Sequence, residues 1–183
     1  MKRLTILILF FFFGLTSHIT FGQTSDTSKW KNLIVYGKDF SFGVKEPEGW
    51  KGDIDHAADY NSNIIFYKSK EDLDNSGALV QVYNFSKQDE KTEEDLKYDI
   101  KSYEDKYQDL KKEDLKVSHK EYKCYSKMVY VKDKFYQYTV YVNPGVKYKS
   151  GVSVAMNISK RPATEEELKA FREIISSLVM LKG

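Results

Sequence analysis

The sequence predicts an α+β fold, an antiparallel β-sheet with helices on its faces. Three observations predict it. Apolar and polar residues alternate with period two in several segments, most clearly at Val152, Val154, Met156 and Ile158. Two stretches, Thr92 to Lys112 and Thr164 to the C-terminus, change to a 3.6-residue period. Links between alternating segments are short, as at Lys132, Asp133 and Lys134, which favours antiparallel neighbours.

Taken in order, Trp30 to Tyr36 is a short strand or irregular approach. Phe40, Phe42 and Val44 alternate with Ser41, Gly43 and Lys45, a strand with one buried face. Pro47-Glu48-Gly49-Trp50 is a turn, with Trp50 expected to cap one end of the core. Lys51 to Tyr60 is polar and reads as a loop. Asn63 to Lys68 is a strand and Leu73 to Gly77 a turn. Ala78 to Lys87 is apolar on both faces, as suits a central strand covered on two sides.

The helix at Thr92 to Lys112 carries one apolar stripe, Leu96, Ile100, Tyr103, Tyr107 and Leu110, at spacings of four and three. Thr92 is its expected N-cap, Asp95 holds the capping-box position, and Lys111 and Lys112 complement the C-terminal end of the dipole. A free helix of this length is marginal in water, so the stripe should dock on the sheet. Leu115 to Lys120, Tyr122 to Lys132 and Phe135 to Val142 read as strands, the last ended by Asn143-Pro144-Gly145. Thr164 to Glu167 is a capping box opening a second helix. Its stripe of Leu168, Phe171, Ile174, Ile175, Leu178 and Val179 runs to near Lys182-Gly183.

Residues 1–22 read as a signal peptide, 23–38 as a lead-in, and 39–183 as one domain. Lys2 and Arg3 precede an apolar run from Leu4 to Leu15, and Thr20 and Gly22 are small residues suited to cleavage. That run is shorter than the roughly 18 residues of a spanning helix. An exported chain, periplasmic or secreted, is therefore expected, with no transmembrane helix after cleavage. Without Lys2 and Arg3 the 29 basic residues fall to 27, equal to the 27 acids, so the mature chain is neutral. Neutrality and export argue against nucleic acid as a partner. Cys124 is the only cysteine, so no internal disulfide forms, and it reads as a small buried residue in a strand.

Phe40-Ser41-Phe42-Gly43-Val44, followed by Pro47, Gly49 and Trp50, resembles the PsbP-like family, in which an edge strand leads into a Pro-x-Gly-Trp turn. The order of the mid-chain helix, the hairpins and the helix after Pro162 resembles it too, over Phe40 to Leu181. The resemblance implies an α/β/α sandwich and a non-enzymatic accessory or binding role. It transfers no functional residue.

Three groups of residues are candidates for chemistry. Asp72, Asp74 and Ser76 begin a D-x-D-x-S-G run like a calcium loop, but the twelfth position is Tyr83, not a bidentate Glu, and strands flank it. A plain turn is the reading, and no cofactor is expected. Asp53, Asp55, His56 and Asp59 form a polar cluster on a loop. Tyr125, Lys127, Tyr136 and Tyr138 belong to a Tyr-Lys alternation whose members are divided between core and an aromatic-basic interaction surface. His119 reads as a sheet residue without a partner motif. No G-x-S-x-G, Walker A, G-x-G-x-x-G, H-E-x-x-H or C-x-x-C occurs, and no catalytic residue is assigned. The expectation is an exported, non-catalytic binding or accessory protein whose partner is another exported or envelope protein. The alternative is an enzyme or metal-dependent small-ligand binder using Asp53 to Asp59.

Overall fold

A computed structural model of the chain describes residues 33–37, 39–88 and 91–181. The expected signal peptide and Trp30 lie outside these residues. In chain order, Ile34–Tyr36 (β1), Ser41–Gly43 (β2), Trp50–Asp53 (β3), Ile64–Lys68 (β4) and Leu79–Ser86 (β5) precede the helix Thr92–Lys106 (α1). Lys111–Asp114 (β6), Lys123–Val131 (β7), Phe135–Asn143 (β8) and Ser150–Ser159 (β9) follow, then the helix Glu165–Ser177 (α2) and Val179–Leu181 (β10).

The main sheet has seven strands in the order β3-β4-β5-β9-β8-β7-β6, every neighbour antiparallel. The fold is α+β, with the sheet flanked by helices. Its centre is the period-two segment β9, paired with β5 and β8. Register sets Val82 and Val140 beside Val154, and Val80 and Tyr138 beside Met156, so the middle of one face is apolar. Ala170, Phe171, Ile174, Ile175 and Leu178 of α2 join that core. So do Val35 and Phe42 of a second sheet, β1-β2-β10. The small sheet packs so closely that a Cβ on Gly52 would lie 2.6 Å from the Leu33 side chain.

Several sequence expectations match. Trp50 N–H reaches Pro47 O at 3.1 Å around Gly49, whose φ of +77° is the left-handed turn that glycine permits. Both capping-box bonds form: Glu167 N–H to Thr164 Oγ1 at 3.3 Å, and Thr164 N–H to Glu167 Oε2 at 2.8 Å.

Other expectations are corrected. The mid-chain helix ends at Lys106, not Lys112, and its N-cap is Lys91, with Thr92 buried inside the first turn. Tyr107 is extended and its ring lies 5.0 Å from that of Phe135. Lys111 and Lys112 belong to β6, which pairs with the outer edge of β7. The backbone groups of that edge outweigh helix propensity, which is a weak preference. Leu96 of the stripe is buried, but Ile100, Tyr103, Tyr107 and Leu110 are only half-buried. Leu115 to Lys120 is irregular instead of a strand. The last helix stops at Ser177, and the chain returns as β10 against β2, so β2 is the middle of the small sheet and not an edge. Lys51 to Tyr60, read as a loop, includes most of β3 and a 3-10 turn at Ala57–Tyr60. Among the described residues no helix is long and apolar enough to cross a membrane.

Candidate functional site

The second face of the main sheet is built differently. Residues alternate across a strand, so opposite the apolar row stand Gln81 and Tyr83 of β5, Ser153, Ala155 and Asn157 of β9, and Gln137, Thr139 and Tyr141 of β8. The register places Gln81 beside Ala155, Gln137 beside Asn157, and Tyr83 and Tyr141 on either side of Ser153. Two elements cover this face. The helix α1 lies over β7 and β8, and the Ala57–Tyr60 turn lies over β4. Between them a cleft of about 380 Å³ remains. Tyr60 and Asn61 form one wall and Asp99 and Tyr103 of α1 the other. Gln81, Tyr83, Gln137, Ala155 and Asn157 form the floor.

The floor is held rigid by its own hydrogen bonds. Asn157 Nδ2 donates to Gln81 Oε1 at 2.6 Å, and Gln81 Nε2 donates to Tyr60 O at 2.7 Å. Tyr103 donates to Gln137 Oε1, while Gln137 Nε2 reaches Thr139 Oγ1 at 3.2 Å. These bonds fix the amide planes and tie both walls to the floor. Asn157 keeps its Oδ1 and a second amide hydrogen outside them. Burial raises the Asp99 carboxyl above its ordinary value. Burial, with the charge of Asp99, pushes the Tyr103 phenol up to about 12, and burial raises that of Tyr141 further.

A smaller hollow of about 190 Å³ adjoins along β5, lined by Phe85, Ser86, Gln88, Asp95, Tyr98, Asp99, Ser102 and Tyr141. Asp99 borders both. The Phe85 ring lies over Gly151, where a Cβ would approach within 2.6 Å, and 4.5 Å from the ring of Tyr141.

The residues singled out from the sequence fall elsewhere. Tyr125 and Lys127 face the α1 side, paired with Tyr141 and Thr139, whereas Tyr136 and Tyr138 face the α2 side. The four do not form one surface. Lys127 pairs with Asp114 at 2.7 Å. Tyr136 stacks on Tyr130 at 5.0 Å. Tyr138 is core, its hydroxyl accepting the Ala163 N–H at 2.9 Å. Asp72 and Asp74 are exposed, and the Ser76 hydroxyl donates to Ala78 O at 2.7 Å. The carboxylate that closes this turn is Glu71, which takes the Gly77 N–H at 3.0 Å.

Asp53 is buried at the end of β3. Its carboxylate accepts the His56 N–H at 3.0 Å and meets His56 Nδ1 at 2.9 Å. Burial would raise this carboxyl, but the two contacts with His56 outweigh it and hold it below its ordinary value. Asp55, His56 and Asp59 are exposed. Among the described residues no three His, Cys, Asp or Glu side chains stand where they could share a metal ion. The Asp53–His56 contact instead anchors the turn that carries Tyr60 and Asn61 to the cleft. Asn61 closes that turn in the left-handed region, φ 51°.

Cys124 is half-buried, and burial pushes its thiol up to about 11, away from a nucleophilic thiolate. The His119 ring is committed: Nδ1 accepts the N–H groups of Glu121 and Tyr122, and Nε2 lies 2.9 Å from Leu178 O. It ties the irregular 115–122 segment to the end of α2.

The cleft residues were missed by pattern reading, which treats the polar half of an alternation as wet. Their signal is Gln81 between the valines of β5, with Asn157 on the adjoining strand β9 and Gln137 on β8 beyond it. A scan of protein-family models finds no match, and a search of the curated proteins finds none either.

Proposed function

We propose that this chain is an exported, non-catalytic binding protein whose ligand site is the cleft between α1 and the 57–61 turn. The carrying observation is the floor of Gln81, Gln137 and Asn157, whose amides are locked by bonds to each other and to both walls. A site fixed before the ligand arrives loses little freedom on binding, which favours affinity. About 380 Å³ lies within the roughly 300–1,000 Å³ of small-molecule sites. Among the described residues the lining holds no nucleophile paired with a base, the arrangement that covalent catalysis requires. The PsbP-like resemblance agrees by analogy with an accessory role, and the envelope, or an exported partner, is where the ligand would be met.

Residues 23–183 with ¹⁵N label, screened against a library of small polar molecules by NMR, give the test. Hits should shift the side-chain amides of Asn157 and Gln137, and Asn157→Ala should weaken each at least about tenfold, the worth of one well-made hydrogen bond. Hits that map elsewhere and ignore Asn157→Ala would defeat the reading. Export has its own test. Protein recovered from its host should begin at Gln23, and retention of residues 1–22 in the mature pool would contradict it.

A further inference from the structure

Resting on the cleft reading, we infer that the cleft and the adjoining hollow form one groove for a chain of uncharged sugar residues. Continuity comes first. Asp99 borders both spaces, and the floor passes from Gln81 and Tyr83 to Phe85, successive same-face residues of β5. The groove is therefore longer than a single compact ligand needs.

Charge comes second. Among the described residues the lining of the two spaces contains no Lys, Arg or His, and its charged residues are Asp95 and Asp99. Two carboxylates with no cation repel phosphates, uronates and nucleic acid. A cationic ligand fits poorly as well. Asp95 already takes the Gln88 N–H at 2.8 Å, which leaves one carboxylate, Asp99, for a cation to meet. What remains is a wall of amides, phenols and one carboxyl. Each pairs with hydroxyl groups, which donate and accept at one atom.

Backbone access comes third. An extended peptide gains affinity by adding to an open strand edge. The floor strand β5 is paired along its whole length with β9 and over Val80–Val82 with β4, and past Val82 the Asn84 N–H is taken by Asn63 Oδ1 at 2.9 Å, so it offers no long open edge. Sugar chains need no ladder. They present C–H faces to rings, and the groove supplies Tyr60, Tyr83, Tyr103 and Phe85 along its length. At the outer rim Tyr98 is 68% exposed, a large aromatic ring with little core to hold it and open to a sugar face.

The experiment titrates residues 23–183 by NMR and calorimetry with maltotriose, cellotriose and N-acetylchitotriose, their monosaccharides, trialanine, trilysine and trigalacturonate. At least one neutral trisaccharide should bind, about tenfold tighter than its monosaccharide. Tyr98→Ala, at an exposed position that folding does not need, should weaken that trisaccharide about threefold to tenfold and leave the monosaccharide unchanged. Asn157→Ala should weaken both. Trilysine or trialanine binding more tightly than every sugar would overturn the sugar assignment, and so would no sugar binding up to about 10 mM. Either result leaves the cleft standing if a bound probe still shifts Asn157 and Gln137. Sugar binding indifferent to both Asn157→Ala and Tyr98→Ala would overturn the groove and the cleft together.

Discussion

Glu167→Ala should destabilise the protein by about 3–5 kcal/mol, the usual result of removing one partner from a buried ion pair. The Glu167 side chain is wholly buried at the first turn of α2. Its two oxygens each accept from Arg161 at 2.7 Å, Oε2 also takes the Thr164 N–H, and Lys68 Nζ of β4 lies 3.4 Å from Oε1. One carboxylate thus fastens α2 to the end of β9 and to β4. Truncation leaves a guanidinium and a backbone N–H without their acceptor and deletes half of the capping box.

The same carboxylate makes stability acid-sensitive. Burial alone would raise its pKa. The Arg161 hydrogen bonds, the Thr164 N–H and the charges of Arg161 and Lys68 prevail and hold it at about 2, against an ordinary 4.5. Below 4.5 the unfolded chain takes up a proton that the folded chain refuses. The contribution is therefore complete above pH 4.5 and is lost as pH falls toward about 2. That difference corresponds to about 3 kcal/mol. Urea melts of wild type and Glu167→Gln at pH 7 and pH 2.5 isolate it from other carboxylates such as Asp53. The gap between the two proteins should narrow sharply in acid. A gap that stays constant would mean that ionised Glu167 adds nothing to the folded state.

This cluster shows how far local sequence reaches. The spacing of Thr164 and Glu167 revealed the cap, because a capping box is a contact within four residues. Lys68 was invisible, because it arrives from a strand about a hundred residues earlier and only the sheet order brings it near. The α+β class and most strands were legible, since period-two alternation reports a buried face directly. The end of α1 was not. Lys111, Lys112, Glu113 and Asp114 are charged, all exposed, and carry no period to distinguish strand from helix. β10 was hidden by the same ambiguity, because Val179 continues the helical stripe as well as it starts a strand. The cleft was hidden for another reason. Gln81, Gln137 and Asn157 occupy the positions that alternation assigns to water, and only α1 and the 57–61 turn convert that face into an enclosed one.

The two helices should differ measurably for the same reason. Phe171→Ala should cost about 3–5 kcal/mol. Its ring is fully buried in the apolar core, edge-on to Tyr138 at 6.5 Å, among Ala170, Ile174 and Ile175, which leave little room for collapse. Ile100→Ala should cost only about 1–2 kcal/mol, less than the 2–5 kcal/mol of a fully buried branched residue, because Ile100 is half-buried on the polar side of the sheet. Lys101→Ala, which removes an exposed pair with Asp105, should stay within about 0.5 kcal/mol. Hydrogen exchange makes the contrast local. Amides of α1 should exchange through an opening of lower free energy than those of α2, because α1 buries less apolar surface and borders the cleft. Equal costs at Phe171 and Ile100, with equal protection of the two helices, would show that α1 is part of the same cooperative core. The cleft wall would then be as rigid as its floor.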